Sequence, residues 1–140
     1  GRPVLVAPPT PKTFHGDRIL VAWKDTREAR RAVTDALPFL KRAEAVVVME
    51  ICDKEHVESA EAHTSEVSAY LERHGVDASA KVEIADDDRA AAQLHIQAEA
   101  MGADLIVAGC YGHSRMQEWV FGGVTRTLLG HPERFVLLGH

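Results

Sequence analysis

The sequence is short of the features that mark a nucleic-acid binder, a membrane protein or a disulfide scaffold. Lys and Arg number 16 against 21 Asp and Glu, for a net charge of −5, and no basic block stands out. A nucleic-acid partner would call for a clustered positive face, so none is expected. No apolar run approaches the roughly 20 residues that span a bilayer, and Pro8, Pro9 and Pro11 break the N-terminal apolar run early. Neither a membrane segment nor a secretory leader is therefore expected. The two cysteines, Cys52 and Cys110, lack metal-ligand spacing and are expected as buried thiols packed like small hydrophobes. A cytoplasmic location follows by default. Three phosphate or nucleophile motifs are also missing: no G-x-x-x-x-G-K-[ST] loop, no G-x-G-x-x-G after the first helix-linked strand, and no G-x-S-x-G elbow. Their absence argues against a P-loop NTPase, a dinucleotide-binding Rossmann domain and an α/β-hydrolase.

What is there alternates. A chain of 140 residues fits one domain with a core of its own. Apolar, β-branched runs occur at Arg18–Trp23, Ala45–Cys52, Ala80–Ala85, Asp104–Ala108 and Arg134–Leu138, as a parallel sheet covered on both faces requires. Helical stripes lie between them: Ala29, Val33, Ala36, Leu37 and Leu40 within Asp25–Arg42; Val57, Ala60, Thr64, Val67 and Leu71 within His56–His74; Ala91, Leu94, Ala98 and Met101 within Asp88–Met101. A last helix, with Val120, Val124 and Leu128 in line, begins near Trp119 or just after Gly122 and stops at Gly130–Pro132. Asp25 and Glu28 suggest a capping-box start for the first helix, and Pro38 should kink or tighten its last turn. Gly75 and Gly102 read as helix stops. Asp86, Asp87 and Asp88 read as the acidic N-terminal cap of the third helix, with Asp88 nearest the cap. The β-α alternation with right-handed crossovers predicts an open, doubly wound α/β sheet. Ligands in such sheets bind beyond the carboxyl ends of the strands where the strand order reverses.

Residues 1–9 read as an extra strand, 10–16 as a linker and 17–140 as the domain proper. Arg2-Pro3-Val4-Leu5-Val6 is similar to Arg134-Phe135-Val136-Leu137-Leu138, 132 positions later. The extra strand therefore reads as the closing strand of a preceding, homologous domain.

The richest chemistry follows the fourth strand of the domain: Gly109-x-x-Gly112, nine residues, then Gly122-Gly123-Val124-Thr125. Glycines let backbone N–H groups approach a phosphate, and successive N–H groups form an anion nest. A helix opening at Gly122 or Gly123 would add its free N–H groups and positive dipole end. Thr125 offers a hydroxyl; His113, Ser114 and Arg115 lie within reach of a triphosphate, and Arg126 is a further charge. An unliganded glycine-rich turn is the alternative on the residues alone. His56 and His63 read as surface histidines, Trp119 and Phe121 as core or dimer contacts, and Cys110 with His113 as no catalytic pair.

This segment is similar to the ATP-binding signature of universal stress proteins, G-x2-G-x9-G-[S/T]. Ile19–Ala22 with Asp25–Ala32 resembles the family's first strand and helix, and Met101–Val107 the run into its glycine loop. Tyr111-Gly112-His113-Ser114 fits as well, so the resemblance covers about Asp17 to Leu138. It implies a five-stranded parallel sheet of order 3-2-1-4-5, of the adenine nucleotide alpha hydrolase-like kind. It also implies a homodimer formed through the last strand, with the N-terminal extra strand alongside, and a regulatory module that holds ATP, with Mg²⁺ alongside it, or a related nucleotide or anion. The phosphates would lie on Gly109, Gly112, Gly122, Gly123, Val124 and Thr125, near His113, Ser114 and Arg115, and Val21, Ala22 and Val48 would wall the adenine. Two positions depart from the pattern. Lys24 stands where nucleotide-binding members carry an Asp, and Gly123 stands where the signature has Ser or Thr. An interaction domain without nucleotide and a slow ATPase are the alternatives, the latter ranked last because no water-activating residue can be named.

Overall fold

The computed structural model describes residues 2–10, 12–110, 122–130 and 132–140. Among these, six strands and four α-helices follow one another: β1 (Val4–Val6), β2 (Arg18–Trp23), α1 (Arg27–Leu40), β3 (Ala45–Cys52), α2 (Val57–Arg73), β4 (Ala78–Ile84), α3 (Ala90–Ala100), β5 (Leu105–Gly109), α4 (Gly122–Gly130) and β6 (Phe135–Gly139). A short 3-10 turn, Lys54–His56, leads into α2. The sheet order is β1-β6-β5-β2-β3-β4. Strands β2 to β6 are all parallel, so the five-stranded 3-2-1-4-5 order is borne out, with β1 added antiparallel on β6. The order reverses between β2 and β5, both central and both buried along almost their whole length.

Two apolar layers sandwich the sheet. One face carries Ile19, Val21, Trp23, Val48, Leu105, Val107 and Leu137 beneath α1 and α2. The other carries Leu20, Ala22, Met49, Ile106, Ala108, Val136 and Leu138 against Leu94, Ala98 and Leu128. This is the period-2 alternation of a strand, doubled because both faces are covered. β4 is the exception. It lies at the edge, packs against α2 and leaves Ser79, Ala80, Lys81 and Ile84 exposed, so its mixed sequence suits an edge better than a central strand.

The helix stops behave as expected. Gly75 and Gly102 have φ of +80° and +65°. In each case the next N–H reaches back five residues, Val76 to the Leu71 carbonyl at 3.0 Å and Ala103 to the Ala98 carbonyl at 2.8 Å, which is the Schellman closure. Pro38 sits inside α1 and the turn after it tightens, with the Arg42 N–H donating to the Phe39 carbonyl at 3.0 Å.

The helix starts need correction. The cap of α1 is Thr26, whose Oγ1 accepts from the Ala29 N–H at 3.2 Å; Asp25 is one residue too early and pairs with Arg30 instead. Asp86, Asp87 and Asp88 do not cap α3. They belong to a turn closed by the Arg89 N–H on the Asp86 carbonyl at 2.9 Å, and the cap position is Arg89, without a side-chain bond. α4 begins at Gly122, the second of the two expected starts. Cys52 is buried as expected, but Cys110 is only half-buried, since it lies one residue past the end of β5.

Candidate functional site

The carboxyl ends of β5 and β2, where the strand order reverses, are neighbours of different make. β5 ends at Gly109. A Cβ placed there would stand 2.6 Å from the Ala29 nitrogen and 2.8 Å from the Glu28 carbonyl carbon. The first turn of α1 thus lies directly on Gly109, and a close approach of backbone to backbone accounts for this glycine whatever the ligand. Gly139, its partner in register on β6, has the same reason: its Cβ would meet Ala32 at 2.5 Å.

Beyond Gly109, the expected ligands Gly112, His113, Ser114 and Arg115 lie outside the described residues, as do Tyr111, Trp119 and Phe121. The chain resumes at Gly122 and Gly123, the first two residues of α4. Val124 packs on the layer that holds Ala22 and Ala108. Thr125 is buried, and its Oγ1 has no hydrogen-bond partner among the described residues. An unpaired buried hydroxyl calls for an explanation.

The expected adenine wall does not form one surface. Val21 and Val48 are paired in register and sit at 1% and 0% exposure in the layer under α1 and α2. Ala22 points to the opposite face. A one-residue step along a strand changes its face, so Val21 and Ala22 cannot line one wall, and Val21 and Val48 are core residues.

At the end of β2 the chemistry comes from side chains. Lys24 is half-buried, and its carbonyl accepts from the Thr26 N–H at 2.7 Å. Trp23 stands in register with Glu50 on β3. Glu50 is buried at 5% exposure, and its Oε2 lies 3.1 Å from Nδ1 of His63 on α2. The other ring nitrogen of His63 stands 3.8 Å from Asp25 Oδ2. The imidazole therefore bridges two carboxylates, one buried and one at the rim. Cys52, two residues beyond Glu50, is no nucleophile here: burial pushes its thiol up, Glu50 pushes it further, and Lys24 offsets only part of that.

The Asp25–His63–Glu50 cluster was not anticipated, and His63 is not the surface histidine expected. Two signals were available. Glu50 is the one charge in the apolar run Ala45–Cys52, and a lone charge in a buried strand needs a partner. His63 lies three residues after Ala60 and four before Val67, on the flank of the buried stripe of α2. Among the described residues, no group of three or more His, Cys, Asp or Glu is placed to hold a metal ion, and no helix is long and apolar enough to cross a membrane.

Comparison with known proteins agrees with this fold. The family model described as the Universal stress protein family matches residues 16–138. A universal stress protein from Archaeoglobus fulgidus superposes with a TM-score of 0.71 at 16% identity, over 91% of this chain and 100% of that one. A universal stress protein structure from the same organism, in complex with dAMP, gives 0.67 at 15% identity over 88% and 96%. A universal stress protein in complex with cAMP gives 0.68 at 19% identity over 89% and 96%. Among curated proteins, none matches the chain.

Proposed function

The chain belongs to the universal stress protein family, and on that premise we propose that it is a nucleotide-binding stress-response module. It takes an adenine nucleotide, ATP with Mg²⁺ or a relative of it, across the carboxyl ends of β2 and β5. The observation that carries this reading is the reversal of strand order between those two strands, the place where doubly wound sheets hold ligands. The start of α4 at Gly122–Gly123 supports it by supplying free N–H groups and a positive dipole end for phosphates. The hydroxyl of Thr125, one turn inside that helix and without a partner among the described residues, supports it too, and two proteins of the same fold hold cAMP and dAMP. In this reading Gly109, Gly112, Gly122, Gly123, Val124 and Thr125 line the phosphates with His113, Ser114 and Arg115 beside them. Ala22, Lys24 and Asp25 face the nucleoside end.

Thermal unfolding of the protein with increasing AMP, ATP and ATP with Mg²⁺ tests the proposal. A ligand that binds only the folded state adds about 2.7 kcal/mol at a hundredfold excess over its Kd, so a clear rise in Tm is expected. Gly112→Val should remove the rise. An unchanged Tm at millimolar nucleotide would sink the reading.

A specific observation also favours an assembly role. β1 and β6 pair with Leu5 opposite Leu137, Val4 opposite Leu138 and Val6 opposite Val136. Leu5 and Leu137 are also equivalent in the similar segments Arg2–Val6 and Arg134–Leu138. Two copies of one strand that pair about an equivalent residue are related by a local two-fold, the mark of an isologous contact. In this reading β1 resembles the last strand of a homologous domain, docked on this one as the partner of a homodimer would be. A cytoplasmic protein of this kind would signal its nucleotide state through that joint.

A further inference from the structure

Lys24 is the first residue beyond β2, at the point where the strand order reverses. It is half-buried, and its ammonium has no hydrogen bond or ion pair among the described residues. Nor is that nitrogen shut away from solvent, as the Trp23 indole nitrogen is. The acid next to it in sequence and the two at the end of β3 are engaged elsewhere. Asp25 is paired with Arg30, Glu50 stands 3.1 Å from the His63 ring, and Asp53 lies 2.6 Å from the His56 ring. Lys24 is thus a reachable cation that these carboxylates do not neutralise.

Two further features turn this end of the sheet toward an anion. Burial pushes the Cys52 thiol up and Lys24 offsets part of that, so the field of the ammonium reaches the end of β3 as well as its own strand. α1 then opens at the Thr26 cap, two residues on. Its first N–H groups have no carbonyl of the helix to bind, and the positive end of its dipole lies beside Lys24. On the β5 side α4 opens at Gly122 and Gly123 and presents a second such end. β2 and β5 are neighbours, with Ala22 in register with Ala108, and α1 and α4 lie on opposite faces of the sheet. The crevice therefore has an anion-favouring feature on each side. A nucleotide phosphorylated only at its 5′ end satisfies one of them and leaves Lys24 facing uncharged ribose hydroxyls.

We propose, resting on the nucleotide reading above, that the site selects an adenosine that carries a second phosphate on its ribose, at the 2′ or the 3′ oxygen. The 5′ phosphate lies at the α4 end, and the ribose phosphate takes a charge-assisted hydrogen bond from Lys24. Lys24 is the residue that sets this preference.

Thermal unfolding against increasing AMP, ADP, adenosine 3′,5′-bisphosphate and adenosine 2′,5′-bisphosphate tests the proposal, with affinities read from the rise in Tm. ADP carries its second phosphate at the 5′ end and serves as the charge control. One of the two bisphosphates is expected to bind about tenfold more tightly than AMP, in keeping with one such bond, and which of them does so identifies the oxygen. Lys24→Met keeps the length of the side chain and loses its charge. It should bring that bisphosphate to parity with AMP while the ratio of ADP to AMP holds, and Lys24→Gln serves as a second neutral variant. Lys24→Arg should retain the preference. Bisphosphates that bind no more tightly than AMP would overturn the proposal and leave the nucleotide reading standing. So would a preference that persists without the Lys24 charge, or an ADP to AMP ratio that falls along with it. No shift with any of these nucleotides would overturn both.

Discussion

The carboxyl ends of β5 and β2 sit side by side in one sheet, yet they are built on different chemistry. At β5 the features are backbone: Gly109 lies under the first turn of α1, and the chain re-enters as a helix that opens on Gly122 and Gly123. At β2 they are side chains: Trp23, Lys24 and Asp25, with Glu50 and His63 brought in from β3 and α2. A backbone end offers N–H groups and suits phosphate, whose recognition needs donors at close range more than any particular side chain. A side-chain end carries titratable groups, and its properties depend on which neighbours the fold supplies. The first kind shows itself as glycine spacing along the chain. The second appears only when distant segments meet.

Substitutions at the two ends sharpen that contrast, beginning with the largest effect. Gly109→Val pushes a branched side chain into the Ala29 and Glu28 backbone, which cannot swing aside as a flexible side chain would. It is expected to destabilise the fold by about 3 kcal/mol in urea unfolding. Gly112→Val should leave the midpoint close to that of the parent protein. If the two glycines cost the same, the distinction between a packing glycine and a ligand glycine fails.

At the other end, His63→Ala removes the imidazole from the buried Glu50 carboxylate. The expected loss is about 1–3 kcal/mol, the penalty for a buried polar group without its partner. The same change in a Glu50→Gln background should cost less, and a double-mutant cycle measures the difference. A cycle energy of zero would mean that the two groups do not depend on each other.

The smallest effect lies at Asp53, just past β3. Its carboxyl accepts from the His56 ring at 2.6 Å and from the Glu55 and His56 N–H groups. The bond to the His56 ring, the largest influence, outweighs the opposing effect of desolvation, and with the Glu55 N–H it holds the carboxyl below the ordinary aspartate value. A lowered folded value means the carboxylate is favoured by folding. Its stabilisation is therefore complete above the unfolded value of about 3.9 and fades as the pH falls through the lower folded one. Asp53→Asn should narrow its gap from the parent protein as the solution is acidified below that range. A gap that widens on acidification would reverse the sign of this linkage.

Much of the architecture was legible before any coordinates. β2 and β3 have the bounds read from the apolar runs, and Gly75 and Gly102 close α2 and α3 where they were expected to. The three helix stripes point inward, with Ala29, Val33, Ala36 and Leu40, then Ala60, Thr64, Val67 and Leu71, then Leu94 and Ala98 all buried. Periodicity and glycine closure are local properties, each decided within a few residues. Helix starts were less legible. Asp25 and Thr26 are both good caps by type, as are Asp86, Asp87 and Asp88, yet of these five only Thr26 caps a helix, because the cap depends on where the preceding strand releases the chain. In the candidate site, the glycine spacing was visible and the wall was not: the family resemblance placed Val21, Ala22 and Val48 on one wall, but they divide between two faces.

By itself the sequence determined a doubly wound parallel sheet, the family to which the chain belongs and a glycine segment placed after β5, because runs, stripes and spacings act over short stretches of chain. Tertiary structure alone decided that Gly109 is a contact with α1, that β1 meets β6 about Leu5 and Leu137, and that Trp23, Asp25, His63 and Tyr70 enclose one cavity. Those facts depend on segments as far as 132 positions apart, and packing brings such segments together without leaving a pattern in either one.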